Sequence, residues 1–288
     1  MKITNSMEVV RMGYKLHSTE EEKQMVQEYI SGVPVNTLMT KYGYKTKKSI
    51  TDKVKKYESV EAIEVARNNR KNYKMEFDGV TNLFNAYFLG LMLTDGYIQD
   101  ENKFGIDLTD EDCIAFISKI TGKEYKIYER DEEDRKTRYR LIFSDHNSLV
   151  KLNEYGVIPN KSRILQGPSL SEEEYKYLPY IIRGIIDGDG CIYKTSYGAP
   201  AMYICSASFD FITWVKNTLE NRLFFKELSI IQSETGLWRI DTANQQNILK
   251  LITLVYDKPY GMNRKYKLLR ETFRDYNKDN LLVEEQQY

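Results

Sequence analysis

The chain holds 288 residues, 41% of them hydrophobic, with 42 Lys and Arg balanced by 42 Asp and Glu. That length accommodates two or three domains with real cores, and a zero net charge leaves total charge silent about partners. Two histidines and three far-spaced cysteines, Cys113, Cys191 and Cys205, form neither a disulfide framework nor a zinc spacing, and they argue against histidine-centred catalysis.

The opening stretch MKITNSMEVV lacks the apolar core of a signal peptide, and the longest apolar runs fall short of a membrane span. The expected setting is intracellular, in cytoplasm or an organelle matrix, with reduced thiols. Residues 18–32, STEEEKQMVQEYISG, begin with a capping pattern and stop at Gly32. Residues 35–57 predict two short helices around Gly43, with Leu38, Ile50 and Val54 inward, in a helix-turn-helix-like arrangement. Between Lys41 and Lys56 stand seven lysines against one acid, Asp52. On a recognition helix, Lys45, Lys47, Lys48 and Lys53 suit phosphate; the same pattern also reads as a solvated lysine-rich helix. RNNRKNYK at 67–74 reads as a basic tether. The expected division is a DNA-binding domain over 1–60 and a linker over 61–81.

Residues 83–94 predict an apolar helix, followed by short alternating stretches at 97–98 and 104–109. Residues 111–121 are amphipathic. Residues 124–130 and 138–143 alternate around the polar turn DEEDRK, a hairpin signal. Alternation puts Lys126, Tyr128 and Arg130 on one face with Arg138 and Arg140, while Tyr139, Leu141 and Phe143 face the core. Such a face can lie on DNA, where long donors reach phosphates and base edges, or it can be an ordinary solvated face. Asp145 or Ser144 can cap the next helix, which ends at Gly156, so DHN at 145–147 reads as capping rather than as a nuclease His-Asn site.

A second apolar helix, IIRGIIDGDGCIY at 181–193, ends in two acids among three glycines. Alone it reads equally well as a helix closing in an acidic turn. However, it has a twin. Residues 88–98 align with 182–192, matching Gly90 to Gly184, Asp95 to Asp189 and Gly96 to Gly190. Residues 112–120 then align with 210–218, and 124–131 with 227–234. Residues 139–152 align with 238–251, matching Arg140 to Arg239, and PNKS at 159–162 echoes MNRK at 262–265. Matches in one order mark a duplication. The predicted fold class is α+β: two pseudo-symmetric αββαββα repeats over 82–166 and 175–288, joined by 167–174 and preceded by a small helical domain.

GLMLTDG and GIIDGDG resemble the signature helices of LAGLIDADG homing endonucleases in their single-chain form, over residues 82–277. The resemblance implies that the two motif helices pack side by side, with Gly90 and Gly184 allowing close approach. It implies that Asp95 and Asp189, with the peptide oxygens of Thr94 and Gly188, hold Mg²⁺ beneath DNA, Mn²⁺ substituting and Ca²⁺ binding without supporting cleavage. Lys161 and Lys265 fall where the family often places a lysine near the cleavage centre; each also reads as a surface phosphate contact. The implied activity is a double-strand break in a long, largely asymmetric DNA target, made by a monomer. A catalytically inactive regulator of this fold, and an RNA maturase with intron RNA as partner, are the alternatives. Two departures stand out: Leu93 and Thr94 replace the Asp-Ala of the motif, and Lys265 is one residue out of register with Lys161.

Overall fold

The computed structural model describes residues 17–33, 35–69, 76–128 and 137–285. Arg130 and residues 70–74 of the expected tether lie outside the described residues. The chain divides into two compact units, residues 1–72 and 73–288.

The first unit is helical: α1 (Thr19–Ile30), α2 (Val35–Tyr42), α3 (Lys47–Tyr57) and α4 (Val60–Asn69). Ser18 closes a capping box at the start of α1, its hydroxyl accepting from Glu21 N and its own N–H donating to the Glu21 carboxylate. Gly43 turns the chain between α2 and α3 at φ 75°, where side chains are rarely tolerated. Leu38, Ile50 and Val54 are buried together with Met25 from α1. α4 carries the unit into the segment expected to be linker, because Ile63 and Ala66 are buried in the same core.

The second unit repeats one plan twice. The first copy runs α5 (Leu83–Thr94), β1 (Gly96–Asp100), β2 (Lys103–Leu108), α6 (Glu111–Thr121), β3 (Lys126–Tyr128), β4 (Arg138–Ser144) and α7 (His146–Glu154). A 3-10 turn (Lys161–Arg163) and the short α8 (Glu172–Tyr175) lead to the second copy. That copy is α9 (Leu178–Asp189), β5 (Gly190–Lys194), β6 (Pro200–Ser206), α10 (Phe209–Asn221), β7 (Ile230–Gln232), β8 (Trp238–Thr242) and α11 (Gln245–Lys250). α11 continues into a π-helical turn (Leu251–Val255), and α12 (Asn263–Glu285) closes the chain.

The sheets have the same antiparallel order, β1-β2-β4-β3 and β5-β6-β8-β7. Their registers correspond as well. Gly96 pairs with Ile106, which pairs with Leu141; Gly190 pairs with Ile204, which pairs with Ile240. Arg140 and Arg239 therefore occupy the same place in each sheet. One face of each sheet packs on the core through Phe104, Ile106, Leu141 and Phe143, or through Ile192, Met202, Ile204 and Ile240. The other face stays open. Asp145 caps α7, accepting from Ser148 N, so the DHN stretch is capping chemistry.

α5 is apolar on every side because it runs through the middle of the unit; α9 is buried over residues 181–187 but includes Arg183 and Asp187. Of α5, residues 85–93 are all buried. The two helices touch backbone to backbone. A Cβ on Gly90 would overlap Ile181 O and lie 2.9 Å from Gly184 Cα; one on Gly184 would overlap Tyr87 O and lie 2.8 Å from Leu91 N. Only glycine permits that approach at either position.

Candidate active site

The backbone contact brings the two helix ends together. Asp95 is the C-cap of α5 and Asp189 is the last residue of α9. The Asp95 carboxylate reaches across to the partner helix: a Cβ on Gly188 would sit 2.9 Å from Asp95 Oδ2 and 2.7 Å from Thr94 Cβ. Burial, reinforced by the charge of Asp189, pushes the Asp95 carboxyl up to about 7. Asp189 is raised by desolvation as well. Lys161 and Lys265 oppose the rise at both acids. Two carboxylates at the negative ends of two helices resist joint ionisation unless a cation joins them. Their carboxylate oxygens are the hard donors that a divalent ion prefers, whereas the Thr94 peptide oxygen already accepts from Lys161 Nζ. Among the described residues no group of three or more His, Cys, Asp or Glu is placed to hold a metal ion, at the Asp95–Asp189 pair or elsewhere.

Both lysines lie beneath the acids, and neither is a surface phosphate contact: Lys161 is 6% exposed and Lys265 3%. Lys161 Nζ donates to Thr94 O at 3.2 Å and to Gly96 O. Lys265 Nζ donates to Ile186 O at 2.7 Å, Asp187 O at 2.7 Å and Gly190 O at 2.6 Å. An ammonium has three donors, so Lys265 has none left for water or phosphate, whereas Lys161 uses two among the described residues. Desolvation lowers the pKa of each. The register difference disappears in three dimensions, since both side chains bridge a motif helix end to the first residue of the following strand.

Asp187 resolves the question of the paired acids in the second motif. It is fully buried and structural. It accepts from Tyr256 Oη at 2.7 Å, Tyr87 Oη at 2.8 Å, Met262 N at 3.1 Å and Arg183 Nε at 3.2 Å. Arg183 is itself fully buried, its guanidinium carbon 3.6 Å from the centre of the Tyr256 ring. This network ties α9 to the segment that carries Lys265. Sequence reasoning missed it. The available signal was Arg183 and Asp187 four apart within an apolar run.

Two cavities flank the acids. One of 460 Å³ is lined by Asp95 and Gly188 together with Tyr97, Asp107 and Arg138 from the first sheet's open face. Another of 230 Å³ is lined by Asp189 with Cys205 from the second sheet and Leu237 just before β8. Each acid thus adjoins the open face of its own sheet. On the first of those faces Lys126 stands opposite Arg140, and Tyr128 opposite Arg138. Arg239 is paired to Asp241 at 2.9 Å. In the N-terminal unit, Lys45, Lys47 and Lys48 are exposed. Lys53 differs, because it donates to the buried Glu22 of α1 and its charge is met inside the unit.

No protein-family model and no curated protein matches the sequence. Solved structures do. The chain is similar to the homing endonuclease I-WcaI bound to its DNA recognition sequence, at 14% identity and a TM-score of 0.52, over 68% of this chain and 88% of that one. It is also similar to the LAGLIDADG meganuclease I-AabMI bound to uncleaved DNA, at 14% identity and a TM-score of 0.45, over 69% and 92%. A third likeness is to the N-terminal LAGLIDADG domain of DUF199/WhiA, at 13% identity and a TM-score of 0.42, over 63% and 86%. Taken with the duplicated topology, the first of these likenesses shows that the second unit has the LAGLIDADG endonuclease fold.

Proposed function

We propose that the chain is a site-specific, divalent-metal-dependent DNA endonuclease that makes a double-strand break. The observation that carries this reading is the meeting of Asp95 and Asp189 at the ends of two glycine-packed helices, with an open sheet face beside each. Asp95, Asp189 and the oxygens of Thr94 and Gly188 would hold Mg²⁺, with Mn²⁺ as a substitute and Ca²⁺ binding without turnover. When bound, such ions supply an activated water and stabilise the leaving oxygen of a phosphodiester.

The chain's own residues do the rest. The Gly90–Gly184 contact sets the separation of the acids. Lys161 and Lys265 hold the helix ends and keep the acids easier to ionise. The third donor of Lys161, which has no partner among the described residues, would serve a water or a phosphate oxygen. Lys126, Tyr128, Arg138, Arg140 and Arg239 address the DNA backbone and base edges. Lys45, Lys47 and Lys48 of the helix-turn-helix-like unit add phosphate contacts outside the cleavage site.

Incubating the full chain with a randomised DNA library, in Mg²⁺ and in EDTA, tests the reading. Recovery of one family of cut sequences in Mg²⁺ alone supports it. Sequence-specific binding with no cleavage under any divalent ion would convert the reading to that of a DNA-binding regulator.

A further inference from the structure

Arg140 and Arg239 occupy equivalent positions, yet they are held differently. Asp107 stands directly across the β2–β4 pairing from Arg140. Arg140 Nε donates to Asp107 Oδ1 at 2.6 Å, and Nη2 donates to Oδ2 at 2.6 Å. The guanidinium carbon lies 4.6 Å from the centre of the Tyr128 ring. The back of the sheet is core, so the group projects from the open face. Its side edge is occupied by the carboxylate, but the outer edge, Nη1 and Nη2, carries N–H donors with no partner among the described residues. Two parallel donors held in a plane match the O6 and N7 acceptors that guanine shows in the major groove. The tether removes rotamer freedom before DNA arrives, which strengthens discrimination. Asp107 also lines the cavity that contains Asp95, so this arginine stands close to the cutting centre.

Arg239 lies 4.1 Å from the centre of the Tyr203 ring, but no carboxylate stands directly across from it. Cys205 stands across from it where the first sheet has Asp107. Its Nη2 lies 2.9 Å from Asp241 Oδ2. Its Nε is buried without a hydrogen-bond partner among the described residues.

We propose that Arg140 is a specificity-determining residue that reads one guanine in the half-site bound by the first sheet, near the cleavage centre, and that Arg239 reads its counterpart less stringently. This rests on the nuclease reading above and deepens it.

The test is selection of bound sequences from randomised DNA by the full chain in Ca²⁺. The wild type yields a guanine preferred roughly 5- to 150-fold at one position on one side of the centre. Arg140→Ala brings that preference close to unity and leaves the other positions intact. Arg140→Lys keeps the charge and can still donate to guanine but loses the planar fork, so it weakens the preference and keeps affinity for unrelated DNA. Asp107→Asn relaxes the same position in part. Arg239→Ala acts on the opposite side of the centre, and with a smaller change. Equal weakening of all sequences by both Arg140 variants would make Arg140 a phosphate contact and overturn the proposal, as would an unchanged preference. Failure of the wild type to select any sequence would instead remove the nuclease reading itself, and this proposal with it.

Discussion

Asp95 and Asp189 share a site with two buried lysines, and the four charges set its pH behaviour. The Asp95 carboxyl is raised from 3.8 to about 7 in the fold. Between those values the native state holds more protons than the unfolded chain, so metal-free stability falls as pH rises from about 4 to about 7, then levels. A cation competes with the proton for the same oxygens. Ca²⁺ should therefore raise the melting temperature more at about pH 8 than at about pH 5, as scanning calorimetry would show; an equal rise at both would place the ion elsewhere. Removing either lysine charge withdraws an attraction that lowers the Asp95 pKa. Lys161→Met and Lys265→Met should both move the acidic limb of the cleavage profile to higher pH. The two then differ. Lys265→Met takes a charged donor from three carbonyls, of which Ile186 O keeps the Gly190 N–H, and lowers stability by about 1–3 kcal/mol in urea melts. Lys161→Met, which also loses the third donor, slows single-turnover cleavage more than it weakens DNA binding.

At the scale of elements, the pair α5 and α9 controls the site. Alanine at Gly90 improves helix propensity by up to about 1 kcal/mol, yet its Cβ overlaps Ile181 O. Backbone against backbone leaves no flexible side chain to give way, so overpacking costs about 1–3 kcal/mol and wins. Gly90→Ala should lower the denaturant midpoint and part the two acids, cutting the cleavage rate; a more stable, fully active variant would mean that the helices do not touch there. The glycines, the terminal acids and the strand faces were legible because each is a local or periodic signal. Other features were not. Lys161 begins a 3-10 turn while Lys265 is the third residue of an α-helix, so alignment could not show that they reach the same depth. The Asp187 network joins residues far apart in sequence, from Tyr87 to Met262, and no short window contains it. α4 was hidden because exposed Val60 and Val65 blur the spacing of Ile63 and Ala66.

At the scale of the whole molecule, the chain forms two compact units. The duplicated unit carries both acids and both open sheet faces. The helical unit, residues 1–72, carries exposed lysines and no part of the acid pair. Deleting residues 1–72 should shorten the DNase footprint at one end. It should also flatten the salt dependence of binding, by close to one unit of slope for each phosphate that the lysines no longer neutralise. Cleavage at saturating protein should persist. An unchanged footprint and slope would mean that Lys45, Lys47 and Lys48 face solvent or another protein.

The central claim is that one carboxylate from each repeat makes a single metal-dependent cutting site. It is tested most directly by measuring double-strand cleavage in Mg²⁺ and DNA affinity in Ca²⁺ for the wild type, Asp95→Asn and Asp189→Asn. Each substitution keeps the shape of the side chain and removes the charge that would hold the ion. Both variants should bind the selected target within a few-fold of the wild type and fail to break both strands. Near-normal double-strand cleavage by either variant would contradict the assignment.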